Sequence, residues 1–407
     1  MKIFGQHDEQ TIIQFNHVRE HAVDAALMAD AHVGYVMPIG GVAAYREQVS
    51  VVGVGFDIAC GNAAIRTDLT LESFGRTPEK VRRALERLAD GIAATVSFGI
   101  GRKNRADDAP VDHELFDDAA WRAVPAKHRQ ALSVKARQQL GTVGSGNHYV
   151  DVFVDERGAL WVGVHFGSRG FGHTVASSFL ALGQGKEWGE RVPEREVLLD
   201  LAQPTGHDYW HLMNLAGRYA YAGREWVARK VVSLMGGTEL ELVHNHHNFA
   251  WKEMHGGEEV VVVRKGATPA FPGQKGFIGG SMGDDAVIVR GTAGDVATPD
   301  VRELQRASLY STVHGAGRVM SRTQAAGKRN RSGKVLSPGR VTPEMMETWV
   351  KGKGVILRGG GLDESPHVYR RLPDVLTAQE GTIEVLHVLQ PLIVVMAGAD
   401  EHDPYKD

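Results

Sequence analysis

The stretch Val54-Gly55-Phe56-Asp57-Ile58-Ala59-Cys60-Gly61 holds the only cysteine of a 407-residue chain, three residues after an aspartate. That spacing lets thiol and carboxylate converge at a strand end or a tight turn. Three more clusters rich in ligand-type side chains lie downstream: Gly146-Asn147-His148, Val164-His165-Phe166-Gly167-Ser168-Arg169 and His244-Asn245-His246-His247-Asn248. A thiol, a carboxylate and imidazoles suit divalent transition metals, whereas Mg²⁺ and Ca²⁺ sites are built from oxygen. Taken singly, Cys60 reads as a small buried hydrophobe and each histidine as a hydrogen-bonded core or surface residue. Taken together, they require a fold that gathers distant loops around one centre.

Glycine marks those loops. Gly141, Gly144 and Gly146 precede Asn147 and His148; Gly167, Gly170 and Gly172 follow His165; Gly279, Gly280 and Gly283 surround Ser281; Gly315 and Gly317 follow His314. Glycine permits positive φ and close backbone approach, so these loops read as shaped around a ligand. The run from Gly167 to Gly172 is not a dinucleotide fingerprint, because Arg169 stands in the phosphate turn. His314-Gly315-Ala316-Gly317-Arg318 sets a histidine beside an arginine, a pairing suited to phosphate chemistry. Neighbouring His246 and His247 would point opposite ways in a strand, so only one of them can face a metal. His247 is the choice here and His244 the alternative.

Apolar residues make up 43% of the chain, enough for a large core, and no repeat or long linker divides it, so residues 1–407 read as one domain. Thr77-Pro78-Glu79 starts a helix carried by Val81, Leu85, Leu88 and Ile92. Further helices are expected over 208–235 and from Thr342-Pro343-Glu344. Strands are expected at 160–165, 260–264, 287–290 and 392–395. The mixture has no regular βαβ beat, giving an α/β (α+β) class. A single cysteine excludes an internal disulfide framework, the N-terminus lacks a signal-peptide pattern, and the longest apolar run is too short to span a bilayer. These features predict a cytoplasmic chain without membrane contact. A net charge of −3 argues against a globally basic nucleic-acid protein. The acid-free run Arg318, Arg322, Lys328, Arg329, Arg331, Lys334 reads either as a solvated loop or, being next to His314, as a phosphate-binding groove.

These blocks resemble the RtcB family of RNA-splicing ligases. The resemblance begins at Asp30-Ala31-His32-Val33-Gly34-Tyr35 and Pro38-Ile39-Gly40-Gly41. It runs through the Asp57–Cys60, Asn147–His148, His165–Gly170 and His247–Asn248 motifs, Arg264-Lys265-Gly266 and Gly280-Ser281-Met282-Gly283, to His314 through Arg322. It implies a single large domain of mixed sheets around a central metal and nucleotide cleft. It also implies two Mn²⁺ ions on Asp57, Cys60, His148, His165 and His247, with Cys60 bridging. His314 would attack GTP and carry GMP; Asn147, Asp151, Ser281, Ala316 and Gly317 would line the nucleotide site; Lys265, Arg169, Arg318 and Arg322 would grip nucleic-acid phosphates. The implied reaction joins an RNA 3′-phosphate, or 2′,3′-cyclic phosphate, to a 5′-hydroxyl. The alternatives are guanylyl capping of RNA or DNA 3′-phosphates without sealing, and a two-metal phosphoesterase. The reading leaves room for an activating protein partner.

Three positions depart from the family. Asp151 stands where glutamate is usual, and Phe166 follows the second metal histidine in place of serine. Met396 occupies the place of a lysine that holds guanine, while the chain continues to Lys406, which is expected to fold back and supply the missing amine.

Overall fold

A computed structural model describes residues 1–329, 335–398 and 401. Lys406, Arg331 and Lys334 therefore lie outside the described residues. The larger of two main sheets orders its strands as Lys275–Ile278, Ala286–Gly291, Ile383–Met396, Tyr149–Asp155, Ala159–Phe166, Gly61–Thr70 and Glu239–His246, with neighbours antiparallel. Ile356–Arg358 adds a parallel partner to Ile383–Met396. The sheet curls until its first and last strands meet. There Asn62 Nδ2 donates to the Phe277 carbonyl (2.9 Å) and Asn245 Oδ1 accepts the Phe277 N–H (3.1 Å).

Alternation along each strand decides what each face covers. Ala63, Ile65, Val150, Val152, Val162 and Val164 face outward and bury against the helices Pro78–Thr95 and Pro204–Met235. Ala64, Phe153, Trp161, Val243, Phe277 and Ile288 fill the inside of the curl. The second sheet orders Lys2–Ile3, Asp24–His32, Ile39–Tyr45, Glu258–Lys265 and Asn248–His255. Its last two strands form a hairpin whose Asn248 carries on directly from the end of Glu239–His246. That junction is where the two sheets meet.

The expected helices are present. Thr77 caps the first through the Lys80 N–H, and Thr342 caps Pro343–Gly352 through the Met345 N–H. The helix expected over 208–235 starts earlier, at Pro204, because proline fits the first turn and the chain needs no side-chain cap there. The four expected strands are also present, and the last is much longer than its apolar run, starting at Ile383. The first half of that strand is largely uncovered, so its sequence does not read as a buried run. The mixed architecture agrees with the α/β expectation. No described helix is long and apolar enough to cross a membrane.

Candidate active site

The turn Asp57–Cys60 is closed by the Cys60 N–H on the Asp57 carbonyl (3.1 Å). It contains Ala59 at φ +60°, a conformation that costs a residue with a Cβ about 1 kcal/mol or more. The surroundings hold it in place. The Ala59 N–H donates to the Asn248 carbonyl (2.7 Å), and the Ala59 carbonyl accepts from Arg224 (2.8 Å). The Cys60 carbonyl in turn accepts the His247 N–H (2.8 Å), which fixes the sheet junction against the thiol.

Around that turn the expected ligands converge. Cys60 Sγ lies 3.3 Å from His165 Nε2 and 3.5 Å from His148 Nε2. His148 Nε2 is 3.1 Å from Asp57 Oδ2, and His165 Nε2 is 3.3 Å from His247 Nε2. These atoms form two groups that share the sulfur, Asp57–Cys60–His148 and Cys60–His165–His247, with all ligand atoms in each within 4.8 Å of one another. His165 Nδ1 donates to the Asn147 carbonyl (2.9 Å), so its Nε2 presents a lone pair to the group. His148 Nδ1 accepts from Arg169 Nη1 (3.3 Å), placing the His148 proton on Nε2 toward Asp57. A cation at that nitrogen would have to displace the proton. His247 Nδ1 is buried without a hydrogen-bond partner.

Electrostatics favour the same use. Burial and the Asp57 carboxylate push the Cys60 thiol well up, so its thiolate is disfavoured until a cation is present. Burial lowers His165 to about 3 and holds His148 and His247 below the ordinary imidazole value, leaving neutral rings. For Asp57, burial works against ionisation, but the hydrogen bond from His148 and the charge of Arg169 outweigh it and hold the carboxyl below its usual range.

His247, rather than His244, stands in this group. His244 Nε2 instead accepts from Arg224 Nε (2.9 Å), and its Nδ1 lies 3.5 Å from Glu225. His246 turns the other way and meets Arg224 Nη2 through Nδ1 (2.8 Å). His314 adjoins the group, its ring centre 4.8 Å from that of His247. Its Nδ1 lies 2.6 Å from Oδ2 of the fully buried Asp30, and the same oxygen accepts the backbone N–H of His314 (3.1 Å) and of Gly315 (3.3 Å).

The remaining candidates sit around this centre in different states. Asn147 is exposed on its loop beside the ligand group. Ser281 donates to Asp284, which also pairs with Arg371 (2.8 Å). Ala316 is buried, and Gly317 has φ +76° with the Asp30 carbonyl only 2.2 Å from where a Cβ would be, so no larger residue fits. Arg318 donates to the Asp363 carbonyl (2.8 Å) and pairs with Glu364 (3.3 Å), and Arg322 pairs with Asp363 (2.9 Å) and Glu364. The start of the basic run is thus half-buried and neutralised, which excludes a merely solvated loop there. Lys265, which could have been a solvated strand end, is buried, with Nζ 3.3 Å from the Val52 carbonyl; burial lowers it to about 8.

Asp151 and Met396 share one region. Asp151 pairs with Val394 and Tyr149 with Met396 across adjacent strands, and Met396 packs against Met282 and Val394. Burial pushes the Asp151 carboxyl well up, and its Oδ1 has no hydrogen-bond partner among the described residues.

Sequence reasoning passed over Asp30, Arg224, Asp363 and Glu364. Asp30 carried a readable signal, since an acid inside the apolar strand Asp24–His32 needs a partner once buried. Arg224 carried the same signal within an otherwise helical apolar stretch.

Residues 12–397 match the family described as tRNA-splicing ligase RtcB. The chain is 31% identical to the RNA-splicing ligase RtcB of Escherichia coli over 392 residues, covering 91% of this chain and 89% of that protein. It is also 31% identical to the tRNA-splicing ligase RtcB of Archaeoglobus fulgidus, covering 91% of this chain and 87% of that one. The corresponding protein of Thermococcus kodakarensis is 31% identical, with 86% and 82% covered.

Proposed function

This chain belongs to the RtcB family and is an RNA ligase, and from that premise we propose that it joins RNA 3′-phosphate to 5′-hydroxyl ends through a GMP carried on His314. The carrying observation is the placement of His314, with Nδ1 against Asp30 and the ring beside His247. With Nδ1 held there, Nε2 is the nitrogen left to attack phosphorus. Its lone pair forms a bond to the α-phosphorus of GTP as the bond to the β-phosphate oxygen breaks and pyrophosphate leaves. The positive charge that develops on the imidazole is stabilised by the Asp30 carboxylate 2.6 Å from Nδ1.

An oxygen of the RNA 3′-phosphate then attacks the GMP phosphorus, and the His314 N–P bond breaks to restore the neutral ring. The RNA 3′ end now carries GMP as a good leaving group. Attack by the 5′-hydroxyl on the RNA phosphorus forms the phosphodiester and releases GMP and a proton. A 2′,3′-cyclic end must first take up water to open to the 3′-phosphate.

Two Mn²⁺ ions fit the donor set, one on Asp57, Cys60 and His148 and one on Cys60, His165 and His247. The sulfur shared by both groups and the raised thiol support this assignment. Bound there, divalent cations would neutralise charge on the reacting phosphates. Arg169, Arg318 and Arg322 are the cations available to the RNA backbone, with Arg318 and Arg322 exchanging Asp363 and Glu364 for phosphate oxygens, while Lys265 is buried and would act on a phosphate only through its charge. Asn147, Ser281, Ala316 and Gly317 form the nucleotide side, and the base would lie toward Asp151 and Met396, where burial pushes the Asp151 carboxyl up.

The test is GTP labelled at the α-phosphate with Mn²⁺, read on a denaturing gel. Label on wild type but not on His314→Ala supports the reading. No label with any nucleotide, together with phosphoester hydrolysis that survives His314→Ala, overturns it in favour of a phosphoesterase. Product analysis with RNA and DNA ends then separates sealing from capping.

A further inference from the structure

The chemistry above leaves unused a column of rings that starts beside Asp57. Tyr35 is 53% exposed, and its ring meets Phe56 edge-on, with centres 6.1 Å apart and planes at 81°. Phe56 in turn faces His173, with centres 5.7 Å apart and planes at 33°. Phe56 immediately precedes Asp57, and His173 lies one turn after Arg169 on the helix Arg169–Gly183. Two members of the column thus adjoin site residues along the chain, Phe56 next to Asp57 and His173 one turn from Arg169.

The loop that displays Tyr35 is clamped. The Gln14 side chain donates to the carbonyls of Gly34 (2.7 Å) and Tyr35 (3.3 Å) and accepts the Gly34 N–H (2.9 Å). Gly34 itself has no room for a Cβ, which would sit 2.3 Å from the Met37 carbonyl. The loop follows the strand that carries Asp30 to His314. A single exposed apolar residue needs no explanation. A clamped loop that holds Val33 (48% exposed) and Tyr35 in water beside a phosphate-handling centre is a different case. One cation stands at the far end of the column, where Lys135 Nζ reaches Thr174 Oγ1 (3.4 Å) next to His173.

We propose that the exposed ring of Tyr35, propped edge-on by Phe56, forms a stacking platform for an unpaired base next to the joint, with Lys135 close to its phosphate. The inference rests on the ligase reading. Ends awaiting joining offer unstacked bases, and an aromatic face accepts any base with little sequence preference.

The test compares joining of short single-stranded RNAs, intact or abasic at the nucleotide on either side of the joint, alongside GMP transfer to the protein without RNA. In wild type, the abasic change on one side should raise KM for RNA about tenfold. Tyr35→Ala should raise KM about tenfold for intact RNA, but not for the abasic RNA that has already lost the contact. Tyr35→Phe should keep the wild-type value, and self-guanylylation should be unchanged in both variants. Equal KM for intact and abasic RNA on both sides in wild type overturns the platform while the ligase reading stands, and needs no variant to fold. KM for intact RNA unchanged in Tyr35→Ala overturns it likewise. A wild-type protein that joins no RNA at all overturns both.

Discussion

Asp30 and His314 are 284 residues apart in the chain, yet Oδ2 of one lies 2.6 Å from Nδ1 of the other. The carboxylate is fully buried and also accepts two backbone N–H groups from the His314 loop, so it positions both the loop and the ring. Asp30→Asn should keep the fold but slow transfer of GMP to the protein by about 100-fold, since an amide cannot stabilise the charged ring. The rate of label incorporation from α-labelled GTP checks this, with His314→Ala as the zero.

Cys60 belongs to both ligand groups, so its loss should affect both at once. Cys60→Ser should abolish the sulfur-to-metal absorption that Co²⁺ produces on binding to wild type, and should weaken metal binding at both positions. His247→Ala should spare the group formed by Asp57, Cys60 and His148 and leave part of the absorption. Titration of the metal-free protein with Co²⁺, followed by absorbance, separates these outcomes.

Histidines whose ionisation the fold suppresses make the metal-free protein acid-sensitive, among them His32, His165 and His244. Burial lowers His32 to about 4, and His165 and His244 each to about 3, from an ordinary value of 6.5. Below pH 6.5 the unfolded chain takes up protons that the folded chain refuses. The stability these groups contribute is therefore complete above pH 6.5 and is lost as pH falls toward 4 and then 3. Each should contribute a slope of about 1.4 kcal/mol per pH unit within its window. Urea unfolding between pH 7 and pH 5 measures the combined slope in the upper part of that window, and His244→Gln, outside the ligand group, should reduce it.

Arg224 is the most demanding residue in the long helix. It is wholly buried and donates to the carbonyls of Ala59 (2.8 Å) and Phe166 (2.6 Å), and it bonds both His244 and His246. Arg224→Met would leave those acceptors buried and unpaired, and should cost about 3 kcal/mol or more in urea unfolding. It should also weaken Co²⁺ binding, because the two carbonyls belong to the neighbours of Cys60 and His165.

The parts that sequence made legible are those governed by local rules. Thr77-Pro78 and Thr342-Pro343 start helices because capping and proline geometry act within one turn. The ligand types Asp57, Cys60, His148, His165 and His247 stood out by chemistry, and the opposed directions of His246 and His247 followed from strand geometry. What remained hidden depends on which distant groups meet. Nothing near Arg318 or Arg322 announces Asp363 and Glu364, which lie some forty residues on and neutralise both. Likewise the burial of Lys265 follows from the packing of two sheets, and a short window of sequence does not contain it.

The seam at Phe277 has a further consequence. A sheet that ended at Lys275–Ile278 and Glu239–His246 would offer two open edges to a strand from another molecule. Asn62 and Asn245 occupy the Phe277 carbonyl and N–H with side-chain amides, so the sheet satisfies its own margin without closing a full backbone ladder. At Phe277, resistance to intermolecular β-pairing therefore rests on two amide side chains, and Asn62 also lies in the strand that continues from Cys60.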